Sequence, residues 1–252
     1  MKRIMIAACV LVTVFGASAD TKIRQKHHND AFTVMGQTQP ARDYEGTLWF
    51  GRDRARNDMD KQSIIMRMDK GIVIVLNHEN KTWSELPMDM SKAISQATRE
   101  SGEDVPEGLP AEMQEMMKGM FKNMRFSVTE TAEKAVINGW NCRKYIQKVE
   151  GGMAPSTSEV WASTDVKLDY TMLAKMSASM MAMQPGLKEM VSDIQKETEK
   201  IKGMTVKSVT VSTVMNSKMK SSMELIEVKN DLTPPAGIYD PPAGYKKVKG
   251  MQ

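Results

Sequence analysis

From residue 31 onward the chain is dominated by short runs of β-branched and aromatic residues broken by turn chemistry. Ala31 to Gln37 and Tyr44 to Arg54 read as strands flanking the turn-like Gln39-Pro40-Ala41-Arg42. Ser63 to Met68, Ile72 to Asn77 and Lys81 to Leu86 follow, divided by Asp69-Lys70-Gly71 and His78-Glu79-Asn80, the pattern of an antiparallel meander. The period then changes. Met90, Ala93, Ile94 and Ala97 have helical spacing, and after a Gly/Pro/acid loop Met113, Met116, Met117, Met120 and Met124 form one stripe on a helix face. Strands are predicted again over Arg125 to Thr131, Ala135 to Trp140, Cys142 to Val149 and Thr157 to Ala162. A second helical block places Met172, Met176, Met180 and Met183 along one side, breaks at Pro185-Gly186, and runs on through Leu187, Met190, Val191, Ile194 and Ile201 to Gly203. Thr205 to Met215 and Met219 to Lys229 read as a long hairpin, with Val209 and Val211 alternating against Ser208, Thr210 and Ser212 as in a half-buried strand. The proline pairs Pro234-Pro235 and Pro241-Pro242 predict an extended tail. Residues 20–30 are polar and read as a frayed lead-in, His27 and His28 included.

The pattern predicts an α+β fold: a curved antiparallel sheet, a half-barrel of about ten strands, with helices packed on its concave face. Residues 20–252 read as one such domain with helical insertions near 88–123 and 169–203. A sheet of that size must curl or be covered, and helices laid into its concave side would enclose an apolar cavity.

Residues 1–19 have the form of a secretory signal. Lys2 and Arg3 precede the apolar run Ile4 to Phe15, and Ala17-Ser18-Ala19 supplies small residues for cleavage before Asp20. That run is shorter than the roughly 20 residues a membrane span needs, so the expected location is the periplasm. An alternative reading takes Ile6-Ala7-Ala8-Cys9 as a lipobox with Cys9 lipidated, at the cost of a very short apolar segment ahead of it. Cleavage after Ala19 leaves Cys142 as the one cysteine, which rules out an internal disulfide framework and reads as a small buried hydrophobe on a strand.

Composition narrows the function classes. The net charge of +4 is too balanced for a nucleic-acid binder, and 26% charged with 41% hydrophobic residues is ordinary globular arithmetic. There is no phosphate-binding glycine loop, no Gly-x-Ser-x-Gly elbow and no Cys-x-x-Cys. His78-Glu79-Asn80-Lys81-Thr82 starts like a zinc-protease helix but lacks the second histidine. Scattered carboxylates and three histidines leave no catalytic constellation, so the expectation is a protein that is not an enzyme and takes no cofactor or metal. Arg52, Arg54 and Arg56 alternate on one strand face, read as a solvated edge or as a contact for an anionic headgroup at a membrane surface.

Methionine is the outstanding signal, 25 of 252 residues. A stripe of flexible, polarizable side chains makes an adaptable apolar surface. Met113, Met116, Met117 and Met120 with Met172, Met176, Met180 and Met183 are therefore the candidate ligand-binding residues, their structural alternative being plain core. A further alternative uses the thioethers of Met116, Met117 and Met120 as soft ligands for Cu(I).

Several segments resemble a family of bacterial periplasmic domains of unknown function: Ile137-Asn138-Gly139-Trp140-Asn141-Cys142-Arg143-Lys144-Tyr145 with Glu159-Val160-Trp161-Ala162, Lys81-Thr82-Trp83-Ser84-Glu85-Leu86-Pro87, and the ending Ile238-Tyr239-Asp240-Pro241-Pro242-Ala243-Gly244-Tyr245. That family resembles the periplasmic lipoprotein-carrier fold, a half-open antiparallel barrel with helices over its mouth. The resemblance implies an exported protein that holds an acyl chain, another hydrophobic ligand or a lipidated partner. It brings no catalytic residues, and the arginine with which lipoprotein carriers latch their closed state has no assigned counterpart here. The alternative is an envelope interaction protein that docks through its Met-rich helices.

Overall fold

The computed structural model describes residues 20–34, 36–88, 119, 124–152, 154–168, 191–214 and 217–249. Both methionine stripes, apart from Met124, lie outside these residues, as do the signal-like segment with Cys9 and most of the two expected helical insertions.

The chain forms β1 (Asp20–Asn29), β2 (Phe32–Val34), β3 (Gln37–Gln39), β4 (Arg42–Phe50), β5 (Arg54–Met59), β6 (Gln62–Arg67), β7 (Ile72–Asn77) and β8 (Thr82–Pro87). After the first insertion come β9 (Arg125–Ile137), β10 (Trp140–Glu150) and β11 (Ser156–Ser163), then α1 (Val191–Thr198), β12 (Met204–Val214), β13 (Ser217–Leu232) and β14 (Lys246–Lys247). Twelve strands make one sheet in the order β14-β8-β7-β6-β5-β4-β1-β13-β12-β11-β10-β9, while β2 and β3 form a separate hairpin. Every pairing is antiparallel except β14 with β8. The large antiparallel sheet expected from the pattern is therefore present, and it is mostly β. Packed helices are not seen among the described residues. Among the described residues α1 is the one helix of defined bounds, and it sits against the edge strand β9. Gly119, alone in its segment, is helical.

Four local expectations are corrected. The polar segment from Asp20 is not frayed: β1 lies between β4 and β13, paired on both edges. Its polar side chains are accommodated one by one. Lys22 lies over the Trp49 ring, Arg24 pairs with Glu45, and His28 bridges Asp43 and Asp30. His27 stacks on Tyr44 with ring centroids 4.8 Å apart, in space left by Gly46, where a Cβ would come within 3.2 Å of the imidazole. The second correction is at Asn138-Gly139, where both residues have positive φ and turn β9 into β10, so Ala135 to Trp140 is not one strand. Asn-Gly is the residue pair such a two-residue hairpin demands.

Third, β12 starts buried at Met204 and Val206, and beyond its register slip it is Ser208 and Thr210 that pair with the buried Val160 and Ser158 of β11. Val209 and Val211 point the other way, and Val211 is exposed. Fourth, the tail does not merely extend. It turns at 236–239 and at 243–244, and lies over the sheet.

The main core unites both ends of the sheet, with Ile23, Phe50, Ala55 and Met66 in one cluster with Cys142, Val166, Met204, Val206 and Leu225. The sheet curls to do this. Asn138 Nδ2 donates to Leu225 O at 2.9 Å, although β10 and β13 are three strand spacings apart in the order, about 14 Å on a flat sheet. A second cluster on the opposite face gathers Trp49, Ile65, Ile74 and Leu76 under Tyr239.

Candidate ligand cavity and tail clamp

The β9–β10 hairpin builds a cavity of about 580 Å³. Its register slips between Arg143 and Tyr145, so that Thr131 to Glu133 of β9 oppose Lys144 alone. Thr131 holds the irregularity, its Oγ1 donating to Lys144 O at 3.0 Å and accepting from Glu133 N at 3.2 Å. Extra residues of this kind raise the local twist. Cys142 and Tyr145, which a regular strand would send to opposite faces, are both buried and both line the cavity. With Ala162 of β11 they make an apolar floor. Val136, 70% exposed, stands on the rim.

The third side comes from the α1–β12 connection. Gly203 has φ +91, and a Cβ there would lie 2.2 Å from Ser163 O, so only glycine permits this close approach to the end of β11. Lys202 is thereby set at the cavity, its N–H donating to Tyr145 OH at 3.2 Å. The helix is anchored by Glu197, whose Oε2 accepts the Val128 N–H of β9 at 2.8 Å. Lys200 and that N–H hold the Glu197 carboxyl below its usual range.

Cys142 Sγ donates to Trp140 O at 3.4 Å, and burial pushes the thiol up, away from the nucleophilic thiolate. Lys134, Arg143 and Lys202 line the cavity. Lys134 and Arg143 are cross-strand partners, and Glu130 pairs with Arg143.

A second polar constellation clamps the tail to the far half of the sheet. Tyr245 OH meets His78 Nδ1 at 2.8 Å, His78 Nε2 meets Ser63 Oγ at 2.6 Å, and Ser63 Oγ donates to Asp58 Oδ1 at 2.5 Å. The carboxylate takes the single hydroxyl proton, so His78 Nε2–H donates to Ser63 and Nδ1 accepts from Tyr245. Ser63 is fully buried, which makes this Ser–His contact a strut. The predicted arginine row is part of the same clamp. Arg52 lies in a bend before β5 and is exposed. Arg56 donates to Ile238 O at 2.8 Å and to Asp58 at 2.6 Å, and Arg54 stacks on Tyr239 at 4.8 Å. Arg67 reaches Asp240 at 3.0 Å. Strand β5 is interior, between β4 and β6, so the row is not a solvated edge.

The eight methionines proposed from the sequence as ligand contacts, Met113, Met116, Met117, Met120, Met172, Met176, Met180 and Met183, all lie outside the described residues. The three of them offered as copper ligands therefore do so too. Among the described residues no cluster of three or more His, Cys, Asp or Glu is arranged for a metal ion, and no helix is long and apolar enough to cross a membrane. Sequence reasoning missed the cavity. The Asn-Gly turn was the signal for its hairpin, whereas the register slip leaves no sequence mark.

The family model described as a domain of unknown function, DUF4412, matches residues 109–245, more than half of the chain. The chain belongs to the DUF4412 family. The matched stretch contains the whole cavity and ends at Tyr245, the last residue of the tail clamp. No curated protein matches this DUF4412 chain. Among solved structures it is similar to PNGF-II at 12% identity and a TM-score of 0.36, over 92% of this chain and 31% of the other, so the chain spans about a third of that protein's length. A Vibrio parahaemolyticus domain named for outer membrane lipoprotein sorting is similar at 7% identity and a TM-score of 0.28, over 89% of this chain and 90% of its own.

Proposed function

We propose that this DUF4412 protein is an exported, non-catalytic envelope protein that holds a hydrophobic ligand, either a lipid, an acyl chain or the lipid of a modified partner. The observation that carries the reading is the cavity: an apolar floor of Cys142, Tyr145 and Ala162 with the exposed Val136 at its rim. Its volume of about 580 Å³ lies within the range of small-molecule sites, roughly 300–1,000 Å³. The mechanism is burial. Each CH₂ removed from water contributes about 0.8 kcal/mol, so an acyl chain is retained without a specific polar contact along its length. The signal-like residues 1–19 support a periplasmic location.

Native mass spectrometry of the protein purified from a bacterial periplasm, followed by solvent extraction, tests this. A stoichiometric lipid or acyl species is expected. A clean apo mass, together with no uptake of an added acyl-chain probe, would overturn it and favour an envelope docking protein.

A further inference from the structure

We infer that the cavity selects an anionic amphiphile, an acyl chain bearing a carboxylate or phosphate head; this rests on the hydrophobic-ligand reading and specifies its substrate class. Lys134 and Arg143 face each other across the β9–β10 pair, and Lys202 adds a third cation from the α1–β12 side of the cavity. Like charges directly opposite one another on a sheet are destabilising, so the arrangement calls for a counter-charge. The protein supplies only part of it. Glu130 pairs with Arg143, and Asp165 Oδ2 accepts the Asn141 backbone and side-chain N–H groups at 3.1 and 2.9 Å. Glu133, next to Lys134 in the chain, is engaged by Lys144. Lys134 has no ion-pair partner among the described residues, and Lys202 Nζ donates to the backbone oxygen of Glu199 at 2.9 Å.

Cationic groups therefore stand at the mouth of an apolar floor, with Val136 beside them. A headgroup anion placed between Lys134 and Lys202 offsets the uncompensated charge while its chain covers Cys142, Tyr145 and Ala162. Both lysines are exposed, so the attraction is screened by salt.

The test is calorimetric titration of the signal-free protein at low salt with four probes: dodecanoate, dodecyl phosphate, dodecanol and inorganic phosphate. Dodecanoate and dodecyl phosphate are expected to bind at least tenfold more tightly than dodecanol, with the ratio of the two anionic probes telling a carboxylate from a phosphate head. Lys134→Gln with Lys202→Gln should erase that preference, and raising the salt should erode it in the unaltered protein. Equal affinity for dodecanol overturns the headgroup inference and leaves the hydrophobic-ligand reading standing. Inorganic phosphate binding as tightly as dodecyl phosphate overturns the amphiphile, leaving a bare anion site. No binding of any probe overturns both readings.

Discussion

From β4 to β8 the sheet is covered on both sides, the shared core on one face and the tail residues Ile238, Tyr239 and Tyr245 on the other. From β10 to β13 no tail residue covers that second face among the described residues. Lys144 is held there by Glu133 and Glu159, Lys207 by Glu224, and Val211 stands exposed. The strands record the difference. β6 and β7 carry nearly continuous apolar runs, Ser63-Ile64-Ile65-Met66 and Ile72-Val73-Ile74-Val75-Leu76, as strands buried on both faces do. β12 alternates Lys, Ser, Thr and Val. One half is a closed two-layer structure that spends three arginines and a buried hydroxyl network on its own tail. Among the described residues the other half keeps one covered face, an irregular hairpin and an accessible cavity.

That contrast has measurable consequences. The largest is expected from Tyr239→Ala, which removes the lid from Trp49, Ile65, Ile74 and Leu76. A loss of about 3–5 kcal/mol is expected, as for other buried aromatics truncated to alanine, read from the midpoint of urea unfolding. A loss below about 1 kcal/mol would mean that the tail is not a structural layer.

Tyr239→Phe sharpens the point through pH. Tyr239 OH donates to Asp20 Oδ2 at 2.6 Å, and burial first, then that carboxylate, raises its pKa far above the usual value. Above about pH 10 the unfolded chain's tyrosine loses its proton while the folded one keeps it. The folded state then binds more protons, so stability falls as pH climbs from that point. Near neutrality the phenylalanine variant should be less stable by about 1–3 kcal/mol, because Asp20, whose Oδ1 already lacks a hydrogen-bond partner, is left buried without a donor. The gap between the two proteins should narrow above pH 10 in parallel urea titrations. A pH-independent gap would place Tyr239 in a solvated setting.

The smallest effect belongs to the open half. Val211→Ser, on the water-facing side of β12, should shift the urea midpoint by no more than about 0.5 kcal/mol. A loss comparable to that of Tyr239→Ala would erase the distinction between the halves.

Much of the fold was legible because strands and turns are local. Gly71 turns β6 into β7 with positive φ, and Cys142 is buried on a strand, as its place in the run Cys142 to Val149 predicted. The double burial of β6 and β7 was also written in their unbroken apolar runs. What those runs could not name was their cover. Ile238 and Tyr239 are more than 160 residues away in sequence, and proline pairs by themselves predict only extension.

By itself, then, the sequence determined a strand-rich protein with a signal-like leader, its turns, and membership of a family recognisable from local motifs, because each depends on residues within a few positions of one another. Tertiary structure decided the rest. Polar β1 became an interior strand because β4 and β13 satisfy its backbone on both sides. Period-two alternation in β12 named two faces without saying which is inside, and the pairing of Ser208 and Thr210 with buried Val160 and Ser158 of β11 chose. The cavity arose only when a register slip, a glycine with no room for a Cβ and a curled sheet brought β9, β10, β11 and Lys202 together. Those contacts span the chain, so no local pattern contains them.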